Sequence, residues 1–407
     1  MQDQPKKKIL IIPSWYPNMN NKVKGNNFRE QALLFEEDFD IFIISFSPLK
    51  KNVLKVLFSW FRKKFEYYEI PQPPKGIGIK YLQVKMPGFF SFISAYAEFC
   101  ENINHKLMCK FVYLSLKKII DDKKWNPDFI HARSTVQGGI VANYLSDKFN
   151  IPFIISEHQV FLLHPYSEFL IDLIAYAMRR ARYVLAVSEH QKRQILLNKI
   201  DCNPLVIGNM VDDSLFTIKA IQKEEFNILF ISYPHYIKDN ATFFKAIKTL
   251  VSDHVQDFKV SIIGGDTNNT GLIDKGNPLY KQAESFGIIE HVEILNQVER
   301  EKMPEIINRC DVLVSTSIAE TFGIACCEAM MCGVPTIATA NGGIDDIIND
   351  KNGVLIPIKD YKALAKAIMQ IKNKEICFDP EEIRNSVVNK FGKIAFKNRL
   401  NTIYNNL

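Results

Sequence analysis

Short runs of apolar residues alternate with longer stretches that have the period of an amphipathic helix along most of the chain. The apolar runs are rich in Ile and Val, show little alternation of polar and apolar positions, and are bounded by Gly, Pro, Asn or Asp. Strands of a parallel sheet that are covered on both faces have this composition. Nine runs are predicted as strands: 8–13, 39–46, 128–132, 152–157, 183–188, 227–232, 259–265, 311–317 and 335–340.

Helical patterns, such as those at 28–37 and 361–371, lie between most of these strands. Alternation of strands and helices predicts a doubly wound α/β fold. The series starts again at Phe226, after a segment rich in turn-forming and charged residues. We therefore predict two Rossmann-like domains with a cleft between them. They span 1–207 and 208–387, and a C-terminal helix at about 388–407 packs back on the first domain.

Composition and charge indicate a soluble protein of two or three domains' length. Hydrophobic residues make up 47% of the 407 residues and charged residues 24%, as in globular proteins generally. No apolar run reaches the roughly 18 residues of a membrane-spanning helix, and the four apolar residues Ile9 to Ile12 are too few for a secretion signal. Eight cysteines without a CxxC pair are expected to be reduced thiols. These observations predict a cytoplasmic protein.

The segment SPLKKNVLKVLFSWFRKKF at 47–65 departs from the alternating pattern. It carries six basic residues around an apolar set that includes Trp60, and it contains no acid. A basic amphipathic helix with Trp and Phe is typical of a segment that lies in a membrane interface. Such a contact would hold the protein at the inner face of the membrane. The alternative is a surface helix packed on its own domain, and the sequence leaves both open.

Two glutamates stand in the otherwise small and apolar stretch ETFGIACCEAMMCG at 320–333. A strand is predicted directly before it. The helix is predicted from about Ile324 to Cys332, because Gly333 is a natural residue after a helix end. Ligands of open α/β sheets bind beyond the carboxyl ends of the strands. The loop before this helix lies at that edge of the predicted sheet.

Glu320 lies in this loop, and Glu328 lies in the second turn of the helix. Amides at a helix N-terminus attract an anion such as a phosphate, and here they belong to Phe322, Gly323 and Ile324. The carboxylate of Glu328 can accept hydrogen bonds from a ribose diol. The alternative is that Glu320 only caps the helix and Glu328 pairs with a lysine. The stretch alone does not separate a ligand site from a structural one.

The surrounding residues favour the ligand site, because they resemble the family-four glycosyltransferases of the GT-B fold. The hallmark of that family is two glutamates separated by seven residues, with Phe-Gly after the first and Ala-Met after the second. The matching residues are Glu320, Phe322, Gly323, Glu328, Ala329, Met330, Gly333 and Pro335, followed by 341–343 and 352–355. Thinner matches at 14–17, 28–31, 128–132, 155–158, 187–195 and 229–247 extend the resemblance over nearly the whole chain.

The resemblance implies a retaining glycosyltransferase that moves a hexose-type sugar from a UDP- or GDP-linked donor. The C-terminal domain would hold the donor: Glu320 would contact sugar hydroxyls, Glu328 the ribose, and Lys238 the diphosphate. The N-terminal domain would hold the acceptor, with His158 as its contact to the transferred sugar. Gly25, in the loop after the first strand, would let the backbone approach the phosphate or sugar. His131, one unit earlier than His158, is expected to be structural.

Two positions depart from the family pattern. Ser232-Tyr233 stands where the family has Gly-Arg, so that Tyr233 offers a hydrogen bond but no charge to the diphosphate. Asn296 replaces a family glycine close to the expected position of the base. These departures leave the identity of the donor open. They are also the basis of an alternative function, a non-catalytic GT-B protein that binds nucleotide as a partner subunit.

The leading hypothesis is transfer to a glycan or lipid-linked acceptor in surface polysaccharide biosynthesis. No cofactor other than the donor substrate and no divalent metal are expected. A nucleic-acid partner is not expected, because the basic residues cluster only at 50–64. An oxidoreductase is disfavoured, because the first strand is followed by PSWYP at 13–17 rather than by a glycine-rich dinucleotide motif.

Overall fold

The computed structural model describes residues 5–16, 25–49, 80–87, 97–233, 235–264, 277–295 and 298–407. The chain divides into two compact units, each described by itself. Unit 1 comprises residues 1–187, 192–207 and 400–407, and unit 2 comprises 188–191 and 208–399. Residues 50–65 of the basic, aromatic segment lie outside the described residues, and 47–49 belong to a strand.

Unit 1 contains a parallel sheet in the order β3-β2-β1-β4-β5-β6-β7. Its strands are β1 Lys8–Pro13, β2 Asp40–Leu49, β3 Lys80–Pro87, β4 Phe129–Arg133, β5 Phe153–Ser156, β6 Tyr183–Ala186 and β7 Leu205–Val206. The connecting helices are α1 Asn26–Leu33, α2 Ala97–Lys123, α3 Ile140–Phe149, α4 Glu168–Arg180 and α5 Glu189–Leu197. The strand order reverses between β1 and β4.

Unit 2 repeats this arrangement in the order β10-β9-β8-β11-β12-β13, again parallel. Its strands are β8 Phe226–Ile231, β9 Phe258–Ile263, β10 Val292–Leu295, β11 Val312–Ser315, β12 Thr336–Thr339 and β13 Gly353–Ile356. Its helices are α6 Asn240–Ser252, α7 Pro278–Ser285, α8 Met303–Asn308, α9 Ile324–Met331, α10 Tyr361–Lys372 and α11 Pro380–Phe391. The order reverses between β8 and β11, which is the Rossmann arrangement.

The prediction of two Rossmann-like α/β domains is confirmed. Each of the nine predicted strands is present, with its ends shifted by three residues at most. The run in β1 is fully buried apart from its first residue, because helices cover both faces of a parallel sheet. A separate hydrophobic core forms in each unit, around Leu10 and Ile155 in one and around Phe230 and Val314 in the other.

The C-terminal region differs from the single helix expected at about 388–407. Helix α11 ends at Phe391, Gly392 adopts an extended conformation, and a second helix, α12, runs over Lys393–Asn405. Its last turn carries Tyr404, whose side chain is 1% exposed. The Tyr404 ring packs against three phenylalanine rings of unit 1 at centroid distances of 5.1 to 5.3 Å. The chain end therefore completes the core of unit 1.

Candidate functional site

The carboxyl ends of β8 and β11 place two loops of unit 2 side by side, because these strands are neighbours in the sheet. The loop after β8 forms a single 3-10 turn at Tyr236–Lys238. Thr316, which follows β11, donates its hydroxyl to the carbonyls of Lys238 and Asp239 at 2.9 and 3.0 Å. The Ile318 amide donates to the carbonyl of Ile237 at 2.7 Å. These bonds fix one loop on the other at the point where the strand order reverses.

Lys238 and Glu320 meet in this arrangement. The Nζ atom of Lys238 donates to Oε2 of Glu320 at 3.0 Å, and about a fifth and a quarter of the two side chains are exposed. Burial alone would lower the pKa of Lys238, but the charge of Glu320 and the hydrogen bond to it outweigh burial, so that the pKa is raised. The ammonium group is therefore charged at neutral pH. A fixed cation beside a carboxylate at this edge suits a ligand that carries both phosphate and hydroxyl groups.

Gly323 is the N-cap residue of α9 and has the left-handed conformation, with φ of 87°. A Cβ atom at this position would lie 2.6 Å from Cδ1 of Ile344, so that both the conformation and the space require glycine. The first turn of α9 contains no acid, and the first amides of a helix have no partner within it. Ile324 is the first residue of this helix. The loop that carries Glu320 thus leads into an N-terminus suited to an anion.

The side chain of Phe322 does not face a ligand. It is 1% exposed, and its ring lies 4.9 Å from that of Phe391 in an edge-on arrangement. Only the Phe322 amide remains available for the predicted role. The suggestion that Glu320 caps the helix is wrong, because Gly323 occupies the cap position and Glu320 pairs with Lys238.

Glu328 pairs with an arginine that the sequence did not single out. Nη1 of Arg300 donates to Oε1 of Glu328 at 2.5 Å, and the side chains are 18% and 7% exposed. The guanidinium also lies 5.0 Å from the ring centroid of Phe216, where a cation is attracted to the ring face. Among the described residues, the ion-pair partner of Glu328 is therefore an arginine and not a lysine. The 27 intervening residues carry no pattern that links Arg300 to Glu328.

Tyr233 is half-exposed, at 49%, and its ring centroid lies 5.6 Å from Nζ of Lys238. Ser232 turns inward and donates to Oδ1 of Asn240 at 2.5 Å. Tyr233 therefore lies in the same loop as Lys238, where it offers a hydroxyl group in place of the arginine charge of the family pattern. Asn296, the other departure from the family pattern, lies outside the described residues.

Gly25 and His158 belong to unit 1. Gly25 precedes α1 with φ of 87°, and a Cβ atom there would lie 2.9 Å from the carbonyl oxygen of Trp15. The rings of Phe28, in α1, and His158, after β5, lie 4.7 Å apart in an edge-on arrangement. Helix α1 and the loop that follows β5 therefore contact each other.

The backbone around His158 is fixed by Glu157, which is 1% exposed. Oε2 of Glu157 accepts from the amide and hydroxyl of Thr135 at 2.9 and 2.6 Å. Oε1 accepts from the amides of His158 and Gln159 at 2.8 and 2.9 Å. This buried carboxylate joins the loops that follow β4 and β5. Sequence analysis did not identify it, although it directly precedes His158.

His131 has the structural role that was expected. It is fully buried, with Nδ1 2.6 Å from the hydroxyl of Tyr404 and Nε2 2.6 Å from that of Ser156. Burial, followed by the nearby charges of Arg133 and His158, holds the pKa of His131 well below its ordinary value. The ring is therefore neutral in the folded protein at neutral pH.

Two further properties concern only the described part of the chain. No group of three or more His, Cys, Asp or Glu side chains there is arranged to hold a metal ion. No helix there is both long enough and apolar enough to cross a membrane.

Two family models match the chain. Residues 211–390 match glycosyl transferases group 1, and residues 101–215 match Glycosyltransferase Family 4. An uncharacterized glycosyltransferase of Methanocaldococcus jannaschii is 27% identical over 61% of this chain and 66% of its own length. The putative teichuronic acid biosynthesis glycosyltransferase TuaC of Bacillus subtilis is 25% identical over 91% of this chain and 90% of its own length.

The solved structure of HepE from Anabaena in complex with UDP is similar in fold. Its TM-score is 0.71 and its sequence identity 15%, over 98% of this chain and all of that chain. The same protein has been solved with UDP-glucose, with a TM-score of 0.70. The two family models together cover residues 101–390, and with the two parallel sheets they support a glycosyltransferase of the GT-B type, similar to family 4.

Proposed function

We propose that the protein is a retaining glycosyltransferase that transfers a hexose from a UDP-linked donor to a glycan or lipid-linked acceptor. The observation that carries this proposal is the ion pair of Lys238 and Glu320, 3.0 Å apart in the loops beside the N-terminus of α9. A nucleoside diphosphate sugar carries a diphosphate next to sugar hydroxyls. A lysine and a carboxylate side by side match these two groups.

In this proposal the bond between the anomeric carbon and the diphosphate oxygen breaks, and negative charge grows on the leaving phosphate. Lys238 and the first amides of α9 stabilise that charge more strongly as it develops, which lowers the barrier. Glu320 accepts hydrogen bonds from hydroxyls of the sugar. The leaving phosphate takes the proton of the acceptor hydroxyl on the same face as the new bond forms. The configuration is then retained, and no protein nucleophile or divalent metal is required.

Glu328 is proposed to bind the ribose of the donor. Its contact with Arg300 engages Oε1, and a carboxylate has further acceptor positions for a diol. UDP is preferred to GDP because the structural relative HepE has been solved with UDP and with UDP-glucose. The overall similarity to TuaC, named for teichuronic acid biosynthesis, supports an acceptor in a surface polysaccharide.

Nucleotide binding is tested by thermal unfolding of the full chain with UDP, GDP, ADP, CMP and their sugars. A ligand at 100 times its dissociation constant stabilises the folded state by about 2.7 kcal/mol. The nucleotide that binds the site should therefore raise the unfolding temperature more than the others. UDP is expected to give the largest shift. A larger shift with GDP would correct the base without affecting the reaction class.

Catalysis is tested by turnover of the stabilising sugar nucleotide in Lys238→Ala and Glu320→Gln variants. Loss of one electrostatic contact to the transition state is expected to lower kcat by roughly 100- to 1,000-fold. Lys259→Ala is the matched control, because Lys259 forms an exposed ion pair with Glu225 at 3.1 Å in the same unit. Unchanged kcat in both site variants would refute the proposed mechanism. Nucleotide binding without cleavage of any sugar nucleotide would favour the non-catalytic partner subunit.

Contact of residues 47–65 with a membrane is part of the proposal and has its own test. The segment carries six basic residues, and each basic residue near an anionic surface contributes about 1 kcal/mol. Deletion of residues 50–64 is expected to release the protein from vesicles that contain phosphatidylglycerol. Equal vesicle binding by the full chain and the deletion variant would contradict a membrane contact through this segment.

A further inference from the structure

Arg133 is the last residue of β4 and lies at the carboxyl edge of the unit 1 sheet, next to β1. Its side chain is completely buried. Nη1 donates to Oε1 of Gln31, in α1, at 2.6 Å. Nε and Nη2 are buried as well and have no hydrogen-bond partner. Two donors of a permanently charged group are thus unsatisfied within the described part of the chain.

Such an arrangement is unfavourable for a purely structural residue. An arginine keeps its charge in proteins, even though burial lowers the pKa of Arg133 from its ordinary value. A buried charge whose donors are only partly satisfied, and which has no counter-charge, destabilises the folded state. A leucine or methionine would fill the same space without this effect.

Among the described residues, no carboxylate forms a hydrogen bond or ion pair with Arg133. His131 is neutral, and the charge of Arg133 is one of the causes that lower its pKa. Glu157, the buried carboxylate of the next loop, already accepts four hydrogen bonds from Thr135, His158 and Gln159. The groups around Arg133 therefore leave its Nε and Nη2 donors without an acceptor.

The two unsatisfied nitrogens are not an arbitrary pair. Nε and Nη2 lie on one edge of the guanidinium, and their N–H bonds are parallel. This edge binds both oxygens of a carboxylate or phosphate at once. The bond to Gln31 engages the opposite nitrogen and fixes the plane of the group without occupying this edge.

We propose that the Nε–Nη2 edge of Arg133 binds a phosphate or carboxylate group of the acceptor substrate. This rests on the proposed function, because it takes unit 1 to be the acceptor side. The edge is buried beneath neighbouring side chains, so that binding includes a shift of those side chains. The unsatisfied donors favour that shift, because they gain partners only in the bound state. Arg133 would then restrict the enzyme to acceptors that carry a negative group near the reacting hydroxyl.

The test measures thermal unfolding of the full chain in inorganic phosphate, in acetate and in chloride at equal ionic strength. The Lys238→Ala variant is the parent protein, so that anion binding at the proposed donor site does not contribute. Phosphate, acetate or both are expected to stabilise the parent beyond chloride, and the more effective anion identifies the acceptor group as a phosphate or a carboxylate. Adding Arg133→Met is expected to weaken that binding roughly 10- to 100-fold, the effect of hydrogen bonds to a charged group.

Arg133→Met is also expected to leave the unfolding temperature in chloride unchanged or to raise it, because the unsatisfied charge is gone. Arg133→Lys keeps the charge but lacks the two parallel donors, and should lose most of the anion effect. An anion effect equal in the parent and in Arg133→Met would overturn the proposal. So would its absence from the parent, or failure of both variants to fold, which would make Arg133 a structural residue.

The two proposals fail in different ways. Anion binding is measured without turnover, so that it can persist if the variants of Lys238 and Glu320 keep full activity. Conversely, loss of turnover in those variants with no anion effect of Arg133 would keep the glycosyltransferase mechanism and refute the acceptor contact.

Discussion

The ion pair of Arg300 and Glu328 allows a quantitative test of the unit 2 site. Arg300→Met removes the cation and leaves Glu328, whose side chain is 7% exposed, without its charged partner. Removal of one member of a buried pair destabilises a protein by about 3 to 5 kcal/mol. Because Arg300 itself is 18% exposed, water can reach part of the site, and we expect about 3 kcal/mol.

Glu328→Gln is the complementary change. It leaves a partly exposed arginine that water can solvate, so that we expect a smaller loss of about 1 to 2 kcal/mol. The double variant removes both charges and should be more stable than the sum of the two single changes predicts. Residues in direct contact show coupling energies of roughly 0.5 to 3 kcal/mol, and this pair should fall in the upper half of that range.

Urea unfolding gives these values if the two units are followed separately. All three tryptophans, Trp15, Trp60 and Trp125, precede residue 188 in the sequence, and the two described ones, Trp15 and Trp125, belong to unit 1. Tryptophan fluorescence therefore serves as the internal control, and far-UV circular dichroism reports unit 2 as well. The Arg300 and Glu328 variants should shift the urea-unfolding transition seen by circular dichroism and leave the transition seen by tryptophan fluorescence unchanged. Two results would refute the view that Arg300 holds Glu328 in place. One is that the losses of unfolding free energy in the two single variants add up to the loss in the double variant. The other is a loss below about 1 kcal/mol in Arg300→Met.

Three further predictions concern stability in the two units. Gly323→Ala should destabilise unit 2 by about 2 to 3 kcal/mol, through left-handed strain and the Cβ contact with Ile344 at 2.6 Å. Gly287→Ala, with φ of 69° and no neighbour within 4 Å of a Cβ atom, should show only the strain of about 1 kcal/mol, and equal losses would contradict the role of Ile344. The lowered pKa of His131 means that the unfolded chain binds a proton below pH 6.5 that the folded chain does not. Stability should thus be full above pH 7 and fall by at most about 1.4 kcal/mol per pH unit below it. His131→Gln should reduce that slope in urea titrations at pH 7.5 and 5.5, and identical slopes would refute the assignment. Tyr404→Ala should destabilise unit 1 by about 3 to 5 kcal/mol, since its ring is buried among three phenylalanines. The exposed Tyr236→Ala should change stability by less than about 0.5 kcal/mol, and a loss confined to unit 2 in Tyr404→Ala would contradict the packing of α12.

Local sequence patterns were sufficient to predict those structural features that depend on residues close together in the sequence. The buried Ile- and Val-rich runs gave the strands, since a strand covered on both faces must be apolar throughout. The weaker strands were missed, such as Gly353–Ile356, where the two middle residues are partly exposed. The eight-residue interval from Glu320 to Glu328 likewise spans one loop and one helix start, so that both acids could be placed before the fold was known.

Contacts between distant segments depend on which strands are neighbours in the sheet. Lys238 and Glu320 are 82 residues apart and meet because β8 and β11 are neighbours, although β9 and β10 come between them in the chain. The partner of Glu328 was missed for the same reason, since Arg300 follows β10, the strand at one end of the unit 2 sheet. Such pairs depend on which strands become adjacent, and no periodic pattern encodes that choice.

The sequence by itself determined the fold class and the place of Glu320 and Glu328 in a loop and the helix that follows it. Hydrophobic period and turn chemistry act over short distances, and the Glu-x7-Glu stretch is a local unit. The tertiary structure alone decided the charge partners of Glu320 and Glu328, the place of Tyr404 beside His131 across 273 residues, and the unsatisfied edge of Arg133. These depend on burial and on donor geometry, which exist only after distant segments of the chain have packed together.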